Sequence, residues 1–134
     1  MAVDARAALA RLERAAADST LDGLVEPLGV VLLGAFGSAT RPTGSPNDLD
    51  IAVAFDGPAK VLELIDVLVS LTGYDHIDLA VVEGLHPVLD AEALCGVPLY
   101  ERTRGRYAEA QMAALGHRRD TEWLRRLDLE QLAR

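Results

Sequence analysis

The run Val30-Val31-Leu32-Leu33-Gly34-Ala35-Phe36-Gly37-Ser38, followed after nine residues by Asp48-Leu49-Asp50-Ile51-Ala52-Val53-Ala54-Phe55, decides how this chain folds. Val30 to Ala35 is almost wholly apolar, β-branched at its start and too short for a helix, so it predicts a buried strand. Leu49 to Phe55 predicts a second strand. Between them, Gly37 to Asn47 gathers Thr40, Pro42, Thr43, Gly44, Ser45, Pro46 and Asn47, the composition of a loop, with room for one short helical turn after Ser38.

Outward from this pair, periodicity assigns the rest. Ala5 to Ala17 is alanine-rich, with Leu9 and Leu12 on one stripe, and predicts a helix. Asp18-Ser19-Thr20 ends it or caps a short following turn. Gly57-Pro58 introduces a helix from about Ala59 to Leu71, whose Val61, Leu64, Ile65, Leu68 and Leu71 share a face, with Gly73 as its stop. Asp75 to Val82 predicts a third strand. Pro87 opens a helix over Val88 to Leu94, and Val97-Pro98-Leu99-Tyr100 suits an edge strand, where proline is tolerated. Arg106 to Gly116 and Thr121 to Ala133 predict two further helices, with Trp123, Leu124, Leu127 and Leu132 as the apolar face of the last. The expected fold is a small α/β sheet with helices on one side.

With 134 residues, half of them apolar and few aromatic, the chain is expected to form one domain whose core is filled by Leu, Val, Ile and Ala. No apolar stretch reaches the ~20 residues that span a bilayer, and the start lacks a signal-peptide pattern. Cys95 is the sole cysteine, expected as a small buried apolar residue in a reducing compartment. The expected location is cytoplasmic, with no membrane association. A net charge of −8 argues against general nucleic-acid binding. The charge is uneven: residues 1–100 carry −10 and residues 101–134 carry +2. The basic tail reads either as a solvated helix or as a docking element for an acidic partner or for nucleotide phosphates.

Three carboxylates stand out because acids are costly inside apolar strands unless something pairs with them. In a strand, residues two apart share a face, so Asp48 and Asp50 project together, with Ala52 and Ala54 beside them. In the third strand, Asp78 has Ala80 and Val82 on its own side. If the strands are neighbours, three acids meet over small side chains, which leaves room for metal and ligand. Mutual repulsion would push one acid toward its protonated form unless a hard, oxygen-seeking cation such as Mg²⁺ intervenes. Two such ions, with Asp48 and Asp50 bridging and Asp78 completing the one nearer the attacking oxygen, would suit phosphoryl chemistry. Gly37-Ser38 supplies the anion side, since glycine lets backbone approach a phosphate and serine donates to its oxygens. Arg41 is placed to reach a triphosphate with a fork that fits phosphate geometry.

Other polar residues read as structural. Asp75 has the wrong parity to join Asp78, and His76 suits a supporting or solvent role. His86 and His117 have no partner at zinc spacing, and Cys95 has no base to activate it. Asp56, Glu63 and Asp66 read as surface charges. A dinucleotide fingerprint and a P-loop are both missing.

Phe36-Gly37-Ser38, nine residues, then Asp48-Leu49-Asp50-Ile51 resembles the signature of the DNA polymerase β-like nucleotidyltransferase superfamily. Gly37-Ser38-Ala39-Thr40-Arg41 is similar to the Gly-Ser-x-x-Arg loop of its minimal nucleotidyltransferase (MNT) domains. Asp78 matches their third acid, and Gly96 to Glu101 looks like the usual end of the domain. Asn47 stands where serine is commoner. The resemblance covers about residues 20–102. It implies a nucleotidyltransferase-like α/β (α+β) fold with a small mixed sheet, an MNT domain over 1–102 with its N-terminal helix, and a helical extension over 103–134.

It also implies an enzyme that transfers a nucleoside monophosphate, AMP from ATP, to an acceptor hydroxyl. Asp48, Asp50 and Asp78 would hold two Mg²⁺ ions and carry catalysis, and Gly37, Ser38 and Arg41 would bind the nucleotide. Small members of the family act as antitoxins beside HEPN-type toxins, some by adenylylating a toxin tyrosine. An antitoxin that neutralises its partner by binding alone is the alternative, and a small-molecule (antibiotic) nucleotidyltransferase ranks below both.

Overall fold

A computed structural model describes residues 3–84 and 87–133, with side chains described as far as residue 122 and at 126. In chain order the elements are helices α1 (Ala5–Ala17) and α2 (Thr20–Val25), a 3₁₀ turn (Glu26–Leu28), strand β1 (Val30–Phe36), a second 3₁₀ turn (Ser38–Thr40), β2 (Leu49–Phe55), α3 (Val61–Thr72), β3 (Ile77–Val81), α4 (Pro87–Leu94), β4 (Val97–Glu101) and α5 (Arg106–Ala133). The four strands form one mixed sheet in the order β3-β2-β1-β4. β1 runs antiparallel to β2 and β4, while β2 and β3 are parallel and joined through α3. Pro98 lies in edge strand β4, where its missing N–H removes no ladder bond from the sheet interior.

The main core lies on one face. Leu33, Ala35, Leu49, Ile51 and Val53 alternate inward from β1 and β2 and meet Leu9 and Leu12 of α1 and Leu64 and Leu68 of α3. Asp4 caps α1 by accepting from Ala7 N at 2.7 Å, and Gly73, at φ +69°, ends α3 in the left-handed conformation.

The other face differs from the expectation of helices on one side. Leu32 points there and joins Ala91 and Leu94 of α4 and Tyr107 and Ala114 of α5 in a smaller cluster. The small residues of that face explain the docking. A Cβ on Gly34 would collide with the Tyr107 hydroxyl, so the ring fits only because position 34 carries no side chain. Among the described residues the buried Tyr107 hydroxyl has no hydrogen-bond partner, and burial pushes its pKa up to about 12. An unpaired buried hydroxyl costs stability, so Tyr107→Phe is expected to raise the unfolding free energy by about 1 kcal/mol in urea denaturation. A loss instead would show that the hydroxyl is bonded.

α5 also differs from expectation. It is one helix running through Gly116. The apolar face expected from Trp123, Leu124, Leu127 and Leu132 lies outside the described side chains, and His86 outside the described residues. Among the described residues, no helix is long and apolar enough to cross a membrane.

Candidate functional site

Strand register places the acids. Asp50 and Asp78 are direct partners across the parallel β2–β3 ladder, and Phe36 partners Asp50 on its other side. The ladder is held on either side of this pair by Leu49 N donating to His76 O at 2.9 Å and Val82 N donating to Val53 O at 2.8 Å. Asp48 lies just before β2, in the loop. Asp50 is half-buried, while Asp48 and Asp78 are exposed. Burial, followed by the charges of Asp78, Asp48 and Glu92, pushes the Asp50 carboxyl above the usual carboxylate range. Glu92, on α4, is a fourth acid of this neighbourhood that sequence reading missed.

The Gly37-Ser38 turn sits against these acids. Gly37 adopts φ +76° and ψ −156°, a region essentially restricted to glycine. A Cβ there would collide with Asp50 Oδ2 and lie 3.3 Å from its Cγ. Thr40 ties the turn back, its N and Oγ1 donating to Gly37 O at 3.2 and 2.6 Å. Ser38 and Arg41 are exposed.

The loop between turn and acids is held by two residues that local sequence did not single out. Arg6 of α1 donates from Nε to Arg41 O at 3.3 Å and from Nη2 to Thr43 O at 2.7 Å. The Tyr74 hydroxyl donates to Asn47 O, next to Asp48.

A cleft of about 420 Å³ opens from the turn. Phe36, Gly37, Thr40 and Arg41 line one part, and Val88, Glu92, Cys95, Gly96 and Arg118 line the rest. Ser38, Asp48, Asp50 and Asp78 are not among its lining residues, but Asp50 lies against Gly37 and within the field of Glu92. Cys95 corrects the expectation of a buried residue. It follows the last turn of α4 and is exposed at the cleft wall, while Ala91 and Leu94 take the inward positions.

Among the residues read as structural, Asp75 and His76 are exposed, with His76 Nε2 3.6 Å from Asp75 Oδ1. Asp56 pairs at the surface with Arg102 at 3.2 Å. His117 lies outside this cleft and lines another, beside Asp90 and Arg106.

The donor set fits a hard cation, since it consists of carboxylate oxygens with unrelieved mutual repulsion at Asp50. Among the described residues, however, no group of three or more acids, histidines or cysteines stands close enough to hold an ion unaided. Asp50 and Asp78 are side by side, whereas Asp48 is outside the ladder and like charges favour separation.

Neither a family model nor a curated protein matches this sequence. Solved structures do match. A chain of a toxin–antitoxin complex with AMP-PNP has a TM-score of 0.65 at 20% identity, over 87% of this chain and 98% of that one. A chain of an MntA–HpeT toxin–antitoxin mutant, with two aspartates two positions apart changed to glutamate, also has a TM-score of 0.65, at 16% identity over the same shares. A chain of the complex between the tri-AMPylated Shewanella oneidensis HEPN toxin and its MNT antitoxin has a TM-score of 0.61 at 17% identity, over 87% of this chain and 95% of that one. The resemblance drawn from Phe36-Gly37-Ser38 and Asp48-Leu49-Asp50 meets these matches at the level of the fold, which this chain shares with chains of these toxin–antitoxin complexes.

Proposed function

We propose that the protein is a cytoplasmic nucleotidyltransferase that moves AMP from ATP to a hydroxyl of a HEPN-type toxin, a tyrosine, and thereby acts as the antitoxin. One observation carries this reading: Asp50 and Asp78 are ladder partners beside a glycine-only turn that opens into an arginine-bearing cleft. Structural neighbours with AMP-PNP and with an AMPylated HEPN toxin support the choice of nucleotide and partner. In this reading residues 1–102 form the catalytic unit and residues 103–134 an extension.

Asp48, Asp50 and Asp78 would hold Mg²⁺, two ions when the nucleotide is bound. Magnesium commonly takes one or two carboxylates plus substrate phosphates, which suits acids that do not close a cage by themselves. It would supply neutralisation of the triphosphate charge.

The residues of the chain position the reactants. The Gly37-Ser38 turn lets backbone and the Ser38 hydroxyl approach the phosphates, and Arg41 supplies a forked cation at the cleft mouth. The acceptor oxygen forms a bond to the α-phosphorus while the bond from that phosphorus to the β-bridging oxygen breaks. Pyrophosphate leaves, and the hydroxyl proton passes to the Asp78 carboxylate. Arg6 and Tyr74 keep the loop between turn and acids in place.

The test mixes the protein, ATP, Mg²⁺ and a cognate HEPN toxin and reads the intact mass of the toxin. The expected result is a gain in multiples of AMP, abolished by Asp48→Ala with Asp50→Ala. A toxin neutralised at unchanged mass, equally well by the double variant, would overturn the catalytic reading in favour of occlusion.

A further inference from the structure

The C-terminal helix delivers an arginine to the cleft. Its first turns are fixed: Glu101 accepts from Gly105 N at 3.1 Å and from Tyr107 N at 2.9 Å, and Gln111 Nε2 donates to Leu94 O at 2.6 Å. Tyr107, Gln111, Ala114 and Arg118 recur every three or four residues and therefore share one face of α5. Tyr107 and Ala114 pack in the second apolar cluster, and Gln111 holds the end of α4. Arg118 comes next on that stripe and lines the same cleft as Gly37 and Arg41. The stripe thus changes from apolar to cationic where the helix passes the cavity.

The surroundings give that charge a purpose. Glu92 stands in the cleft wall, and Asp50 lies against Gly37, another residue of that wall. Beyond any Mg²⁺ at the aspartates, a tetra-anionic nucleotide entering there is favoured by each further positive charge in the cleft wall. A guanidinium fork matches phosphate oxygens and keeps its charge at any working pH.

We propose that Arg118 contacts the β- and γ-phosphates of the bound nucleoside triphosphate, as a second arginine clamp alongside Arg41. The assignment rests on the nucleotidyltransferase reading and extends the site beyond the minimal domain. The basic tail becomes, in part, a nucleotide-binding element.

The test titrates the full chain with AMP-PNP and with AMP, each with Mg²⁺. Arg118→Ala is expected to weaken AMP-PNP binding about tenfold or more, the loss of a charge-assisted hydrogen bond, while AMP affinity stays within about twofold. Arg118→Lys should recover part of the loss, because charge returns without the fork. Arg118 is exposed, so the helix should persist, and unchanged circular dichroism checks this. AMP-PNP affinity unaltered by the alanine change would overturn the clamp and mark Arg118 as a counter-charge to Glu92. Equal weakening of both ligands would overturn it as well, by moving the contact to the nucleoside or α-phosphate. A parent protein that binds neither ligand would overturn the nucleotidyltransferase reading itself.

Discussion

Asp50→Asn is expected to cut AMP transfer by about a thousandfold or more while raising the melting temperature of the nucleotide-free protein by a few degrees. The two effects have one origin. Burial and the charges of Asp78, Asp48 and Glu92 lift the Asp50 carboxyl above its ordinary value, so the fold prefers the neutral form. A carboxyl whose folded pKa is raised contributes most when protonated. That contribution is lost as pH rises from the unfolded value, near 3.9, through the folded one. Above the folded pKa the charge and its cost are both present, and an isosteric amide removes that cost. The stability difference between variant and parent should therefore vanish in acid, below the unfolded pKa, and grow as pH rises through the folded one. Mg²⁺ with ATP should reverse the order of stability, because the parent holds metal and nucleotide more tightly than a variant short of one carboxylate. Thermal melts of both proteins across pH, with and without Mg·ATP, check each part. A variant less stable than its parent at pH 7 would contradict the repulsion read from the acids.

The second large effect is expected at Gly37. Its φ of +76° and ψ of −156° strain any other residue, at a cost of about 1–3 kcal/mol. A Cβ would also strike Asp50 Oδ2, so Gly37→Ala forces either the turn or the carboxylate to move. A displacement of this kind at reacting groups costs about a hundredfold in rate. Gly37→Ala is thus expected to lose stability and transfer together, unlike Asp50→Asn. Denaturant titration alongside the toxin mass assay separates the two variants. Parent-like transfer by the alanine variant would show that the turn does not carry the nucleotide.

Much of the architecture was legible locally. The apolar runs around Leu32 and Ile51 announced β1 and β2, alternation set the faces, and Gly73 marked the end of α3. The parity of Asp50 and Asp78 was readable, but their adjacency depended on strand order, which no local pattern fixes. The continuity of α5 was misread at Gly116. A helical glycine costs only about 1 kcal/mol, and helix formers on both sides override it. The small residues of the acid-bearing face read as empty room, yet α4 and Tyr107 fill part of it. Arg6, Tyr74, Glu92 and Arg118 act across long separations in sequence, so their roles appear only once the chain is folded.

Asp50 and Asp78 are brought side by side by main-chain ladder bonds. The crossover over residues 56–76 fills the core with Leu64 and Leu68 and steadies the loop through Tyr74, so those positions are constrained. Its exposed positions can drift, in evolution or by design, as long as the returning strand re-enters in phase. A slip of one residue would turn Asp78 toward the packed interior and leave its companion stranded.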